Sequence, residues 1–249
     1  MHRYFIRFSY SGSNYHGWQI QENAHTIQAE LEKALSNILS SEIKTVGAGR
    51  TDTGVHAKEM YAHFDSPSQL DEKDLCYKLN RFLPEDIFVY DVLQVKSDAH
   101  ARFDALKRTY NYVITKDKNP FQNEFSWQLH YDLNIEKMNE FCEELIKYKD
   151  FSSFCKSHTD TKTNLCDIFV AHWENKNDLL VFEITANRFL RNMVRAIVGT
   201  MIDVGREKIN LEEFKRIIES KNRSDAGMSV PAKGLFLTKI EYPREIFIK

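Results

Sequence analysis

"TVGAGRTDTGVHAKEMYAHF", residues 45 to 64, decides how this chain folds. A short strand leads into Gly47, a glycine-rich turn follows, and "KEMYAHF" (58–64) alternates apolar and polar as a strand does. Upstream, "RYFIRFSY" (3–10) alternates too, with Tyr4, Ile6, Phe8 and Tyr10 on one face and Arg3 and Arg7 on the other. Between them Thr26 reads as a helix cap, and Ile27, Leu31, Leu35, Ile38 and Leu39 repeat at helical spacing. Downstream, a second helix carries Leu75, Leu79 and Phe82, Pro84 stops it, and "DIFVYDVLQV" (86–95) is a further strand. The order β-α-β-β-α-β predicts a ferredoxin-like unit.

The second half repeats nearly the same order. "RTYNYVIT" (108–115) reads as a strand and "NIEKMNEFCEELI" (134–146) as a helix. "DIFVAHWE" (167–174) and "LLVFEITA" (179–186) read as an antiparallel pair turning at Asn175 to Asp178. A long helix follows with Leu190, Val194, Ile197, Val198 and Met201 on one face, then a helix in "LEEFKRIIES" (211–220) and a closing strand in "GLFLTKIEY" (234–242). The expected fold is α+β: two ferredoxin-like, RRM-like βαββαβ halves with antiparallel sheets joined side by side. The first half is expected over residues 1–105 and the second over 106–249. Such sheets leave one face open, and RNA commonly lies on surfaces of that kind.

Composition restricts the function classes. The chain has 249 residues, 42% hydrophobic and 28% charged, with a net charge of −2. That excludes a uniformly basic nucleic-acid binder but leaves room for a local basic cleft, since phosphate contacts act within ~8–10 Å. The charge is uneven: "ANRFLRNMVR" (186–195) holds three arginines and no acid, whereas 132–150 is acidic. No apolar run approaches the ~20 residues of a membrane span, and "MHRYFIRFSYSG" lacks a signal-peptide core. Cys76, Cys142, Cys155 and Cys166 form no C-x-x-C pair, so reduced thiols and a cytoplasmic location are expected.

Several residues could carry chemistry. Asp52 sits in "RTDTG", where a plain turn is one reading. A plain turn does not need Arg50 two residues earlier, however. An arginine within reach favours the ionised carboxylate and holds its rotamer, and the glycines would let a substrate approach. Such a carboxylate is a candidate nucleophile or base. Tyr110 and Tyr112 share one face of a strand, either as ordinary sheet aromatics or as a plane for a flipped base. Lys107 and Arg108 suit a phosphate-lined rim. Arg188, Arg191 and Arg195 fall three and four apart, which on one helix would make a basic face or an anion site. The histidines show no metal-ligand spacing, and no Walker or dinucleotide fingerprint is present, so neither metal nor cofactor is expected.

Taken together, these stretches resemble the tRNA pseudouridine synthase A family. "YSGSNYHGWQ" (10–19), "GAGRTDTGVHA" (47–57), "HARFDALKRTYNY" (100–112), "FSSFCKS" (151–157), "NRFLRNMVRAIVG" (187–199) and "AKGLFL" (232–237) match its blocks in order over almost the whole chain. The resemblance implies that Asp52 is the catalytic aspartate, that Arg195 pairs with it, and that Tyr110 packs against the target base. It further implies that Leu235 walls the site and that Arg50 helps flip or hold the nucleotide. By the same resemblance the protein isomerises uridine in the tRNA anticodon arm, at positions 38 to 40. It would do so as a homodimer without metal or cofactor. Thr53 stands where the family often has Ala, and the chain is expected to lack a tail that some members carry.

Three other readings compete. A non-catalytic RNA-binding protein would need Tyr110 and the arginines but not Asp52. A retaining glycosidase or nucleosidase needs a second carboxylate about 5 Å away, and Asp104, the one acid in the neighbouring blocks, reads as structural. A metal-dependent nuclease lacks clustered carboxylates.

Overall fold

A computed structural model describes residues 1–156 and 163–248; Ser157 of the "FSSFCKS" stretch lies outside the described residues. The fold is α+β, and the chain divides into two compact units, residues 1–107 with 236–249 and residues 108–235.

The first unit runs β1 (His2–Tyr10), α1 (Ile27–Leu39), β2 (Val46–Gly47), β3 (His56–Ser66), α2 (Glu72–Phe82) and β4 (Ile87–Val95). β1 lies antiparallel between β3 and β4, and β2 pairs antiparallel with β3. The spatial order β4-β1-β3-β2 is the ferredoxin-like one. The Thr26 side chain accepts from the Ala29 N–H to start α1, and Asp71 caps α2 through Lys73 and Asp74. Leu75 and Leu79 are buried, whereas Phe82, also expected on the apolar stripe, is 45% exposed.

Tyr4, Ile6, Phe8 and Tyr10 are buried as the alternation predicts. The opposite face of β1 is not simply polar. Arg3 and Arg7 pair with Asp65 and Asp91, but Phe5 between them is fully buried. Tyr242 and Phe247 pack edge-on against it, with centroids at 5.3 and 6.1 Å. The C-terminal stretch thus covers part of a face expected to be open.

The last strand, β9 (Leu235–Glu241), read from sequence as closing the second half, runs parallel to β3 through His56↔Phe236 and Ala57↔Leu237. The pairing falls where β3 emerges from the glycine-rich turn.

The second unit contains β5 (Lys107–Thr115) from Arg108 onward, β6 (Trp127–Gln128), α3 (Ile135–Leu145), β7 (Ile168–Lys176), β8 (Leu179–Ala186), α4 (Met193–Gly205) and α5 (Leu211–Glu219). β8 lies antiparallel between β5 and β7. The β7–β8 turn is tighter than the expected 175–178: the strands pair to Lys176↔Leu179, leaving Asn177 and Asp178 as a two-residue loop with Asn177 at φ 56°. β6, too short to show a period, was not legible in the sequence. Asn210 and Glu213 form a capping box on α5, and its Phe214 packs on Phe141 of α3 at 5.1 Å. All four cysteines are free thiols, three of them buried. Burial pushes the Cys142 thiol up to about 12 and the Cys166 thiol up to about 11.

Candidate active site

The turn that carries Asp52 is held from both sides by residues 10–18. Gly12 N–H donates to Nδ1 of His56 at 3.0 Å, and Gly54 N–H to the Tyr15 carbonyl at 3.3 Å. Trp18 N–H donates to the Thr51 carbonyl at 3.3 Å. The Tyr10 and Thr51 hydroxyls meet at 2.9 Å in a buried contact. Val55 N–H donates to the Asp52 carbonyl at 3.1 Å and closes the turn on itself. The backbone on each side of Asp52 is therefore fixed, while its side chain is half-buried and Arg50 and Thr53 are exposed.

The glycines do not share one role. A Cβ on Gly47 would lie 2.5 Å from the Trp18 indole, so that position serves packing. Gly54 sits at φ 76°, a conformation L side chains rarely adopt, so it serves the turn. An added Cβ on Gly49 would meet no atom within 4 Å. Also in this unit, Lys107 is half-buried and, with the nearer Lys239, helps hold the Glu241 carboxyl below its usual range.

The second unit positions the remaining predicted residues. Tyr112 is fully buried and donates its hydroxyl to the Pro231 carbonyl at 2.8 Å; burial pushes that hydroxyl's pKa up. Tyr110, two residues before it, is half-buried and meets Phe189 edge-on at 5.1 Å. Of the two tyrosines, Tyr112 is core and Tyr110 keeps part of its ring accessible. Arg108 donates to the Asn187 carbonyl at 2.8 Å. Leu235, at the start of β9, is 6% exposed.

The arginine triplet does not lie on one helix. α4 begins at Met193, and Asn192 before it sits at φ 66°. Asn tolerates that left-handed backbone better than most residues, so the chain turns there and no helix runs through 188–192. Arg188 and Arg191 precede α4 and only Arg195 lies on it, so the shared face read from their spacing is not formed. Leu190, also read as helical, is buried in the same loop. Arg188 is half-buried, and its charge lowers the Cys166 thiol against the larger effect of burial. Arg191 is exposed, and its carbonyl accepts from Lys156 N–H at 3.0 Å.

Arg195 is held by a segment that sequence reasoning passed over. Its Nε donates to the Val230 carbonyl at 2.7 Å, and Val230 N–H donates to the Arg195 carbonyl at 3.3 Å. Ser229 accepts from Asn192 at 2.6 Å and from Arg223 at 2.9 Å, and Gly227 N–H donates to the Thr200 hydroxyl at 2.9 Å. A Cβ on Gly199 would come within 1.8 Å of the Met228 carbonyl, so 227–230 lies directly on α4. Gly199 inside an otherwise apolar helix was the sequence signal for such an approach.

Two separately built parts result. The first unit presents a half-buried carboxylate on a fixed turn, suited to a nucleophile or base. The second presents a tyrosine ring suited to stacking and an anchored guanidinium suited to an anion. Among the described residues no group of three or more His, Cys, Asp or Glu is placed to hold a metal ion. None of their helices is long and apolar enough to cross a membrane.

Comparison with known proteins gives a consistent result. A family model described as tRNA pseudouridine synthase matches residues 7–104 and 142–243. The chain is similar to proteins named tRNA pseudouridine synthase A. That of Bacteroides thetaiotaomicron is 52% identical, over 99% of this chain and 93% of that protein. That of Bacteroides fragilis is 53% identical over 98% of each. That of Thermoanaerobacter sp. is 40% identical over 97% of this chain and all of its counterpart.

Proposed function

The chain belongs to the tRNA pseudouridine synthase family, whose members are isomerases, and from that premise we propose that it converts uridine to pseudouridine at positions 38, 39 and 40 of the tRNA anticodon stem-loop. The observation that carries the isomerase reading is the fixed turn around Asp52, which presents one half-buried carboxylate.

In this reading Asp52 is the catalytic carboxylate and Arg195 its cationic partner. Tyr110 packs on the target base, Leu235 provides an apolar wall, and Arg50 holds the displaced nucleotide. Lys107, Arg108, Arg188 and Arg191 meet phosphates. Residues 1–105 supply the catalytic loop. The protein acts in the cytoplasm as a homodimer, without metal or cofactor.

The chemistry asks little more of the protein. The bond from ribose carbon 1 to uracil nitrogen 1 breaks, the uracil turns over, and a new bond forms from carbon 1 to uracil carbon 5; carbon 5 gives up its proton and nitrogen 1 takes one up from solvent, so the net change is an isomerisation. An ionised carboxylate can add to the sugar, remove a sugar proton to give a glycal, or attack the base. Each route needs a fixed carboxylate and a site that retains the detached uracil. Leaving the stack costs a few kcal/mol, offset by stacking on an aromatic ring.

The test is tritium release from tRNA labelled at uridine carbon 5, with chelator present. Wild type is expected to release label and Asp52→Asn to bind tRNA without release. Label confined to uridines outside positions 38–40 would refute the positional assignment. Turnover by Asp52→Asn would refute the role of the carboxylate.

A further inference from the structure

We infer that Tyr10 and Thr51 are positioning residues: their buried hydroxyl pair sets the orientation of the Asp52 carboxylate and so sets the turnover rate. The inference rests on the isomerase reading for its rate component and on geometry for the rest.

Thr51 is the residue immediately before Asp52, and three contacts define it. Its hydroxyl meets the Tyr10 hydroxyl at 2.9 Å; Tyr10 is 4% exposed and Thr51 9%. Its carbonyl accepts the Trp18 N–H at 3.3 Å. The same carbonyl is pressed by Gly17, where a Cβ would lie 2.2 Å away. The backbone contacts fix where Thr51 sits. The hydroxyl pair fixes its rotation, because a β-branched side chain held at one end leaves χ1 and the local backbone little freedom. That rotation is passed on to the next residue, Asp52, whose side chain is only half-buried and so is not locked by packing alone. Tyr10 ends β1 and pairs with Ala57 of β3, so the reference point for the carboxylate is the central sheet and not the turn itself. A misplacement of about 1 Å in a reacting group costs up to about 100-fold in rate, so a shift too small to unfold the turn is large enough to slow turnover.

Substitutions separate positioning from stability. Thr51→Val keeps the shape and removes the hydroxyl, Thr51→Ser keeps the hydroxyl, and Tyr10→Phe removes the partner. The double variant Tyr10→Phe/Thr51→Val removes both hydroxyls of the pair together, so neither is left facing a missing partner across it. Two readouts are taken on each: kcat and KM for tritium release, and amide hydrogen exchange over residues 51–54.

Thr51→Val, Tyr10→Phe and the double variant are each expected to lose about 10- to 100-fold in kcat with KM unchanged. They should also exchange faster at 51–54, and the double should be no worse than the worse single. Thr51→Ser is expected to restore both. A kcat within about threefold of wild type in the double variant, or unchanged exchange at 51–54, overturns the inference. Absence of release by wild type overturns the isomerase reading, and the exchange data still decide whether the hydroxyl pair orders Asp52.

Discussion

Gly17, at φ 88°, lies so close to Thr51 that a Cβ on it would stand 2.2 Å from the Thr51 carbonyl oxygen. The loop at 12–18 and the turn at Asp52 are therefore one structural object, assembled from segments that lie far apart in sequence with α1 between them.

The first prediction compares two glycines. Gly17→Ala meets both an unfavourable left-handed backbone, about 1–2 kcal/mol, and a clash with backbone that has no easy retreat. A total loss on the order of 3 kcal/mol is expected, seen as a lowered urea midpoint and melting temperature. Gly49→Ala has open space and no positive φ. It should change stability by no more than about 0.5 kcal/mol and, if substrate approaches there, should raise KM. Equal destabilisation by both variants would contradict the division of roles.

Arg195 should separate rate from stability. Arg195→Ala removes the Nε bond to Val230 but leaves the backbone bond between the same residues. A stability loss of about 1–2 kcal/mol is expected, against a fall in kcat of about 100-fold or more. Arg195→Lys keeps the charge without the planar fork and should recover little of the rate. Parallel thermal melts and single-turnover rates check this. A rate loss no larger than the stability loss accounts for would make Arg195 a structural residue.

The two tyrosines of β5 should answer differently to the same change. Tyr112→Phe leaves the Pro231 carbonyl without its hydroxyl donor in a packed core and should cost about 1–2 kcal/mol. Tyr110→Phe keeps the edge-on contact with Phe189 and should leave the melting temperature nearly unchanged, with partial activity retained. Complete loss of activity in Tyr110→Phe would give that hydroxyl a chemical role.

His63 makes stability depend on acid. Burial, with Arg3 and His100 adding to it, pushes His63 down to about 4, while Asp65 and Asp104 pull more weakly the other way. Its Nδ1 accepts the Ala101 N–H at 3.2 Å and loses that bond when protonated. Between pH 6.5 and about 4 the unfolded chain binds a proton that the folded one does not. Stability should therefore fall as pH drops through that window, by at most about 3 kcal/mol, and level off below it. Urea unfolding at about pH 7 and about pH 5 measures the slope, and His63→Gln should flatten it. An unchanged slope in that variant would place the titration elsewhere, with His100, also lowered by burial, the first alternative.

Much of the fold was legible because its signals are local. Thr26 before Ile27, the alternation from Tyr4 to Tyr10 and Pro84 after α2 each act within a few residues, and the elements form where those signals place them. Asp52 stands out by a local signal too, an acid in a glycine-rich stretch two residues after an arginine, and its role belongs to the proposed function. The run 188–195 shows where local reading stops. Arginines three and four apart suggest a helix face, yet Asn192 takes a left-handed backbone and α4 starts only at Met193. Spacing carries no information about whether the helix extends through it.

By itself, the sequence determined the element order apart from β6, the ferredoxin-like arrangement of the first unit and the identity of the family, since each depends on residue types at short spacing or on strings matched in register. Tertiary structure alone decided what holds Asp52 and what holds Arg195. Tyr10, Gly17 and Trp18 meet Thr51 and Gly47 across an intervening helix, and Val230 reaches Arg195 from beyond α5. Tertiary structure also placed β9 on β3 and covered Phe5 with Tyr242 and Phe247. These are contacts between residues far apart in the chain, and they exist only once packing has closed the loops between them. A reading of periodicity and caps extends a few residues at a time and does not reach that far.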